Sequence, residues 1–289
     1  MTGRFSVNLL ADLREILGFP FMVHALLAGT AAAILGGSVG WFMVLRRQTF
    51  AGHTLAVVSF PGAAAAGWLG LPLAAGYFGS CVLAALVIGL LPPGVGARGR
   101  SEESAVIGTV QALMLAAGFL FVSLYHGFLG GIAALLFGSF LGISAAQVLV
   151  VAAVTVGCLL ALALVGRPLL FASVDPGVAA ARGIPVRPLS VLLLVILGLA
   201  AAQISQITGA LLVFALLVMP AAAAGQLTAR SGLGLVLAVG IGVATVWLSL
   251  LIAYYAPYPV GFFTTSVGLV GYLLSVAVRR SRDGRMAVR

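Results

Sequence analysis

The chain has 289 residues, of which 62% are hydrophobic and only 7% are charged. Soluble globular proteins average roughly 25% charged residues, so this composition excludes a soluble enzyme carried on a single membrane anchor. A membrane-spanning helix needs ~20 apolar residues, and the apolar content suffices for up to about nine of them. The formal net charge is +9, but the basic residues are all arginines that fall between apolar segments. This placement is typical of cytoplasmic anchors and argues against a nucleic-acid surface.

Charged and turn residues divide the chain into predicted spans. The first extends from about Phe19 to Leu45 and ends at Arg46 and Arg47, and the second extends from Phe50 to Leu69. The stretch from His126 to Ile143 is apolar but interrupted by glycines, which predicts a short or re-entrant segment shielded by protein. The other predicted spans are Leu73–Leu91, Ser104–Tyr125, Ala145–Val165, Leu189–Ser205, Thr208–Leu227, Leu233–Tyr255 and Val260–Val278.

These segments predict an all-α integral membrane protein of the cell membrane, a polytopic bundle of eight or nine transmembrane helices in one domain, 1–289. Nine spans place the arginine-bearing loops and the Arg-rich tail 279–289 together in the cytoplasm, with the N-terminus outside. Eight spans result if Thr208–Leu227 does not cross fully. The glycine pairs Gly36/Gly40 and Gly138/Gly142 have the spacing that lets helices pack closely in lipid.

The chain lacks the residues that most energy-coupling chemistry requires. It contains no lysine, which excludes a P-loop ATPase. The carboxylates all lie at span edges or in loops, whereas ion-coupled transporters usually carry ionisable residues near the bilayer midplane. Only neutral candidates occupy the spans, such as His53, Gln203, Gln206 and Thr208. We therefore expect the energy source to lie on another subunit.

One loop is built to receive such a subunit. Asp175 is a favourable N-cap, Pro176 suits the first helical position, and Gly183 is a favourable residue just past a helix end. A short helix is therefore predicted over 175–183, in a cytoplasmic loop between two spans. It is either a plain connector or a docking element, and we favour docking, with Ala179 on the docking face.

Several ordered motifs resemble those of one transporter family. They are Arg46-Arg47-Gln48-Thr49-Phe50-Ala51-Gly52-His53 continuing to Pro61-Gly62, Ser101-Glu102-Glu103-Ser104-Ala105-Val106-Ile107-Gly108, Leu136-Phe137-Gly138-Ser139, Asp175 to Val186, and Thr208 to Ala221. Together they cover nearly the whole chain and are similar to the permease subunits of ABC importers for zinc, manganese and iron, often called the ABC-3 family. Weaker similarity to cobalamin and siderophore permeases occurs around Pro259-Val260-Gly261.

The resemblance implies a type II ABC importer fold and a permease that moves a divalent transition metal, most simply zinc or manganese. It implies cytosolic ABC ATPase subunits as partners, with ATP bound there and no cofactor on this chain. An extracellular metal-binding lipoprotein or periplasmic binding protein would deliver the cargo, and a second copy or a sister permease would complete the pathway. It assigns coupling to the ATPase to Asp175, Pro176, Ala179, Ala180 and Gly183.

At one place the chain departs from the family pattern. The family usually carries Asp where this chain has His53, and His where it has Val57. His53 is the one metal-contact candidate that remains, and imidazole suits zinc, copper, iron and nickel. The alternatives are that His53 only makes a hydrogen bond within the bundle, that the same machinery carries a non-metal cofactor or a chelate, or that the chain is a channel or structural membrane subunit. His24 and His126 are weaker candidates, and Cys81 and Cys158 are read as packing residues.

Overall fold

The computed structural model of the chain describes residues 18–90, 96–124, 138, 140–210, 212–256 and 258–287. In these ranges every regular element is helical. The helices are α1 (Pro20–Leu45), α2 (Thr49–Leu69), α3 (Leu73–Leu90), α4 (Gly96–Leu124), α5 (Ala145–Val174), α6 (Pro176–Ala181), α7 (Val186–Thr208), α8 (Val213–Leu217), α9 (Met219–Leu227), α10 (Ser231–Tyr255) and α11 (Val260–Ala287), and a 3₁₀ turn at Phe140–Gly142 precedes α5.

Seven helices within the described ranges are long and apolar enough to cross a membrane: α1, α3, α4, α5, α7, α10 and α11. Helix α2, with 21 residues, has sufficient length but is less apolar. The segment of α8 and α9 is short and broken. The all-α polytopic architecture is therefore confirmed, and the predicted count of eight or nine spans is only approximate.

Helices α1 and α7 form the centre of the bundle. Helix α7 packs against α1, α2, α3 and α5, and α1 packs also against α8, α9 and α10. Small residues on α1 permit this crowding, because a Cβ on Gly36 would lie 3.0 Å from the carbonyl oxygen of Leu216 and one on Gly40 would overlap that of Leu217. The prediction that Gly36 and Gly40 mediate close packing is confirmed.

The second glycine pair behaves differently. Gly138 has a φ of +77° and lies outside any helix, and Gly142 belongs to the 3₁₀ turn. The two residues therefore do not form a helical small-residue pair, and that prediction is wrong. Gly138 instead lies so close to the backbone of Thr208 and Gly209 that a Cβ would overlap both. The rest of the predicted re-entrant segment, including His126, lies outside the described residues.

Hydrogen bonds show which helix ends share a side of the bundle. Arg46 at the end of α1 binds Ser173 near the end of α5 and Ser190 at the start of α7. Arg187 donates to the carbonyl oxygen of Leu90 at the end of α3, and Arg279 donates to Gln226 at the end of α9. The ends of α1, α3 and α5 thus lie beside the start of α7, and the end of α9 lies beside α11. The nine-span orientation, which places these arginines in the cytoplasm, stays a prediction.

Candidate functional site

His53 lies one turn into α2, at a depression that opens to the outside of the chain. Its lining residues are Thr49, Phe50, His53 and Phe214, and the depression has a volume of about 430 Å³. Phe50 and Phe214 are 45% and 36% exposed. The surface around His53 is therefore open and mostly aromatic.

The imidazole of His53 makes no hydrogen bond to any other described residue. It contacts the ring of Phe214 edge-on, with 5.9 Å between the ring centroids and 84° between the planes. The neighbouring polar side chain, Thr54, is committed elsewhere because it donates to Oε1 of Gln111 at 2.9 Å. The position of Val57, one turn further along α2, is buried and does not line the depression. His53 thus keeps its ring nitrogens for a ligand or for water.

The other polar residues predicted inside the spans are occupied by structural contacts. Nε2 of Gln203 donates to Thr155 at 2.8 Å, Nε2 of Gln206 lies 3.5 Å from the carbonyl oxygen of Ala202, and Thr208 donates to the carbonyl oxygen of Ile204 at 3.0 Å. Oε1 of Gln203 is buried with no partner among the described residues. Gln203 thus joins α7 to α5, whereas Gln206 and Thr208 bond within α7 itself.

Metal-ligating side chains do not cluster within the described part of the chain: no three His, Cys, Asp or Glu residues come together. His24 faces the carbonyl oxygen of Ile143 at 3.2 Å. Cys81 and Cys158 are buried free thiols. A lone imidazole supplies too few ligands for a closed metal site.

The predicted short helix exists as α6. Oδ1 of Asp175 accepts a hydrogen bond from the backbone N–H of Val178 at 2.9 Å, and Pro176 occupies the first helical position. At the other end Gly183 adopts a φ of +78°, and the N–H of Ile184 donates to the carbonyl oxygen of Ala179. Because both ends are capped, α6 is a defined rigid element between α5 and α7.

The faces of α6 differ from the expectation in one respect. Ala179 is fully buried against the chain itself, so its predicted place on a docking face is wrong. A helix of this length turns one side inward to cover the ends of α5 and α7, and the small Ala179 side chain fits there. Val178, Ala180 and Ala181 are exposed, and they form the outward surface of α6.

Two arginines lie beside the end of α5. Arg182 lies over the ring of Phe171, with its guanidinium carbon 5.8 Å from the centroid, which is a cation–π distance. Partial burial lowers the pKa of Arg46 from its ordinary value, although a guanidinium stays charged in proteins. Sequence reasoning predicted these arginines only as anchors and did not identify Phe214 or the partners of Arg46, because such contacts join distant parts of the chain.

Comparison with known proteins matches the chain to one transporter family and to permeases of metal transport systems. The model of the ABC 3 transport family matches residues 18–279. The manganese transport system membrane protein MntC of Halalkalibacterium halodurans is 31% identical over 236 residues, which cover 82% of this chain and 80% of that protein. The chelated iron transport system membrane protein YfeC of Yersinia pestis is 30% identical over 237 residues, which cover 82% of this chain and 79% of YfeC.

A solved structure has the same fold. The structure of PsaBC from Streptococcus pneumoniae in complex with Fab aligns with a TM-score of 0.81 and 25% identity, over 93% of this chain and 95% of that one. The similarity thus extends over nearly the full length of both chains.

Proposed function

Because this chain belongs to the ABC 3 transport family, we propose that it is the permease subunit of an ATP-driven importer that moves a divalent transition metal across the cell membrane. The observation that carries the proposal is the open depression at His53, on a bundle similar over most of its length to manganese and chelated iron permeases. The chain is a multi-pass membrane protein and a transport subunit. Hydrolysis of ATP is assigned to a separate cytosolic chain.

The form of helix α6 supports the assignment of ATP hydrolysis to a separate, docked chain. Helix α6 is short, capped at both ends and exposed through Val178, Ala180 and Ala181. A rigid element of this kind, held between the two long helices α5 and α7, transmits a movement of a bound ATPase to those helices better than a flexible loop does. The ends of α6 are fixed by Asp175, Pro176 and Gly183, and its inner side packs on the bundle through the buried Ala179.

The cargo would pass the exposed face of α2. His53 offers a neutral nitrogen ligand, which suits zinc and iron better than manganese, whose preferred ligands are carboxylate, carbonyl and water oxygens. A second copy of the chain or a sister permease, placed against the open aromatic surface, would supply further ligands. An extracellular binding protein would deliver the metal to the opposite end.

A second candidate cargo is a metal chelate. The specific observation in its favour is the lining of the depression, where two phenylalanines and a threonine accompany the one imidazole. Such a surface suits the apolar part of an organic ligand that already holds the metal. The name of YfeC describes transport of chelated iron in that relative.

Accumulation of radiolabelled metals tests the proposal. The chain would be expressed with its ATPase and binding protein in a bacterium that lacks its own importers for zinc, manganese and iron. We expect accumulation of at least one metal, and a loss of that accumulation when the phosphate-binding lysine of the ATPase is replaced. Equal accumulation with the active and the inactive ATPase would contradict the proposal, and accumulation only with an added chelator would favour the second candidate.

A further inference from the structure

Arg46 connects three helix ends at the cytoplasmic side of the bundle. Its Nε donates to Oγ of Ser173 at 2.8 Å, and its Nη1 donates to Oγ of Ser190 at 2.7 Å. Each serine hydroxyl in turn donates to a carbonyl oxygen one turn back in its own helix, that of Leu169 or that of Val186. The guanidinium fork therefore ties the last turn of α5 and the first turn of α7 to the end of α1.

The two serines flank the coupling helix. Ser173 lies just before Asp175, the N-cap of α6, and Ser190 lies in the helix that begins just after Gly183. Because α6 is capped at both ends, a displacement of α6 moves the ends of α5 and α7 with it. Arg46 is the side chain that holds both of those ends.

On its other side Arg46 leads directly into α2. Arg47 and Gln48 form a tight corner, with Arg47 at a φ of +57°, and α2 then begins at Thr49. The first turn of α2 carries Thr49, Phe50 and His53 into the depression. A short path of hydrogen bonds and covalent bonds thus runs from α6 through Arg46 to the candidate cargo site.

We propose that Arg46 is a positioning residue that transmits the movement of the ATPase-bound coupling helix to the start of α2. The inference rests on the proposed function, since α6 moves only if an ATPase binds there. The guanidinium suits this role because its planar fork donates to two acceptors at once with fixed geometry, which the ammonium of a lysine does not. Charge-assisted hydrogen bonds are also stronger than neutral ones.

The test compares variants that break the path with one that removes a neighbouring charge. Arg46→Met removes both hydrogen bonds, and the double variant Ser173→Ala with Ser190→Ala removes the acceptors while Arg46 stays. Arg47→Met is the matched control, because Arg47 is exposed at the same corner and its guanidinium makes no hydrogen bond to the described residues, while its backbone bond to Val44 survives the change. Arg46→Lys keeps the charge without the fork.

The reporter is Thr49→Cys, labelled with a water-soluble maleimide in the complex with the ATPase, with and without ATP. The native thiols, Cys81 and Cys158, are buried, and a complex without the Thr49→Cys change gives the background. We expect a several-fold change of labelling rate on ATP binding in the reporter chain and in Arg47→Met. In Arg46→Met and in the serine double variant we expect this change of labelling rate to disappear, and in Arg46→Lys we expect a smaller change than in the reporter chain. Copurification of the ATPase should be unaltered in all variants.

The inference would be overturned if the labelling rate still changed with ATP in Arg46→Met or in the serine double variant. It would also be overturned if Arg47→Met lost that change to the same extent, or if the reporter chain showed no change with ATP. If Arg46→Met does not assemble, the serine double variant still decides. The labelling needs no cargo. Intact coupling without metal uptake would therefore contradict the metal function and leave the role of Arg46 standing.

Discussion

At the scale of single residues, His53 differs from the other intramembrane polar side chains because its ring nitrogens have no hydrogen-bond partner among the described residues. An unsatisfied polar group inside a bilayer costs several kcal/mol, so water or cargo is expected to bind it. Where the resemblance implies an Asp and a His on α2, this chain carries His53 and the buried Val57.

We expect His53→Ala to lower metal uptake at least about tenfold, since weakening even the support of a metal ligand costs 10–100-fold in affinity. His24→Ala is the control, because His24 is also an intramembrane histidine but is held by the carbonyl oxygen of Ile143. Uptake of zinc, manganese and iron would be measured at equal expression of both variants.

The ranking of the metals adds a second readout. His53→Asp replaces a nitrogen ligand by a hard oxygen, so it is expected to shift uptake towards manganese. Adding Val57→His tests whether the family pair can be restored, although position 57 is buried and the larger ring must displace its neighbours. If all His53 variants kept the uptake rates and the order of preference among the three metals, His53 would be a packing residue and not a metal contact.

At the scale of the element, two adjacent residues of α6 have different roles: Val178 lies on the exposed face proposed for docking, and Ala179 packs against the chain. Val178→Asp places a charge on the exposed face, where a bound ATPase would have to desolvate it, so we expect at least about tenfold weaker ATPase binding, equivalent to 1.4 kcal/mol. Ala179→Asp instead buries the charge within the chain and is expected to lower the melting temperature of the permease alone. Copurification and thermal unfolding in detergent distinguish the two, and identical effects of both changes would contradict the assignment of the faces.

The contact of α1 with α8 makes a separate prediction. A methyl group at position 40 would overlap the carbonyl oxygen of Leu217, so Gly40→Ala is expected to destabilise the bundle by about 1–3 kcal/mol, as overpacking does. Gly240→Ala is the control, because a Cβ there meets nothing within 4 Å. Thermal unfolding of both variants is the measurement, and equal stability would show that α1 and α8 are not in close contact.

At the scale of the whole molecule, the sequence predicts the helices better than the contacts between them. The predicted first span, Phe19 to Leu45, and the cytoplasmic helix agree closely with α1 and α6. Helix α5, however, continues through Arg167 and Pro168 to Val174, because arginine marks the membrane boundary and does not end a helix. The predicted span Thr208 to Leu227 is broken into α8 and α9, after Gly209 at a φ of +80°.

The candidate site was predictable only in part. His53 and the helix around Asp175 follow from motifs and capping residues that are local in sequence. Phe214 and the serines that bind Arg46 are more than a hundred residues from their partners, and no local pattern indicates such contacts. The inward turn of Ala179 likewise depends on how α6 rests on α5 and α7.

The function inferred for this chain, together with its ATPase, is the movement of a divalent transition metal through the bilayer. ATP-driven accumulation of zinc, manganese and iron in proteoliposomes that contain the purified complex and its binding protein tests it most directly. We expect accumulation of at least one of these metals with ATP, little without it, and a reduced rate for His53→Ala. Active ATP hydrolysis by the complex without accumulation of any of the three metals, free or chelated, would contradict it.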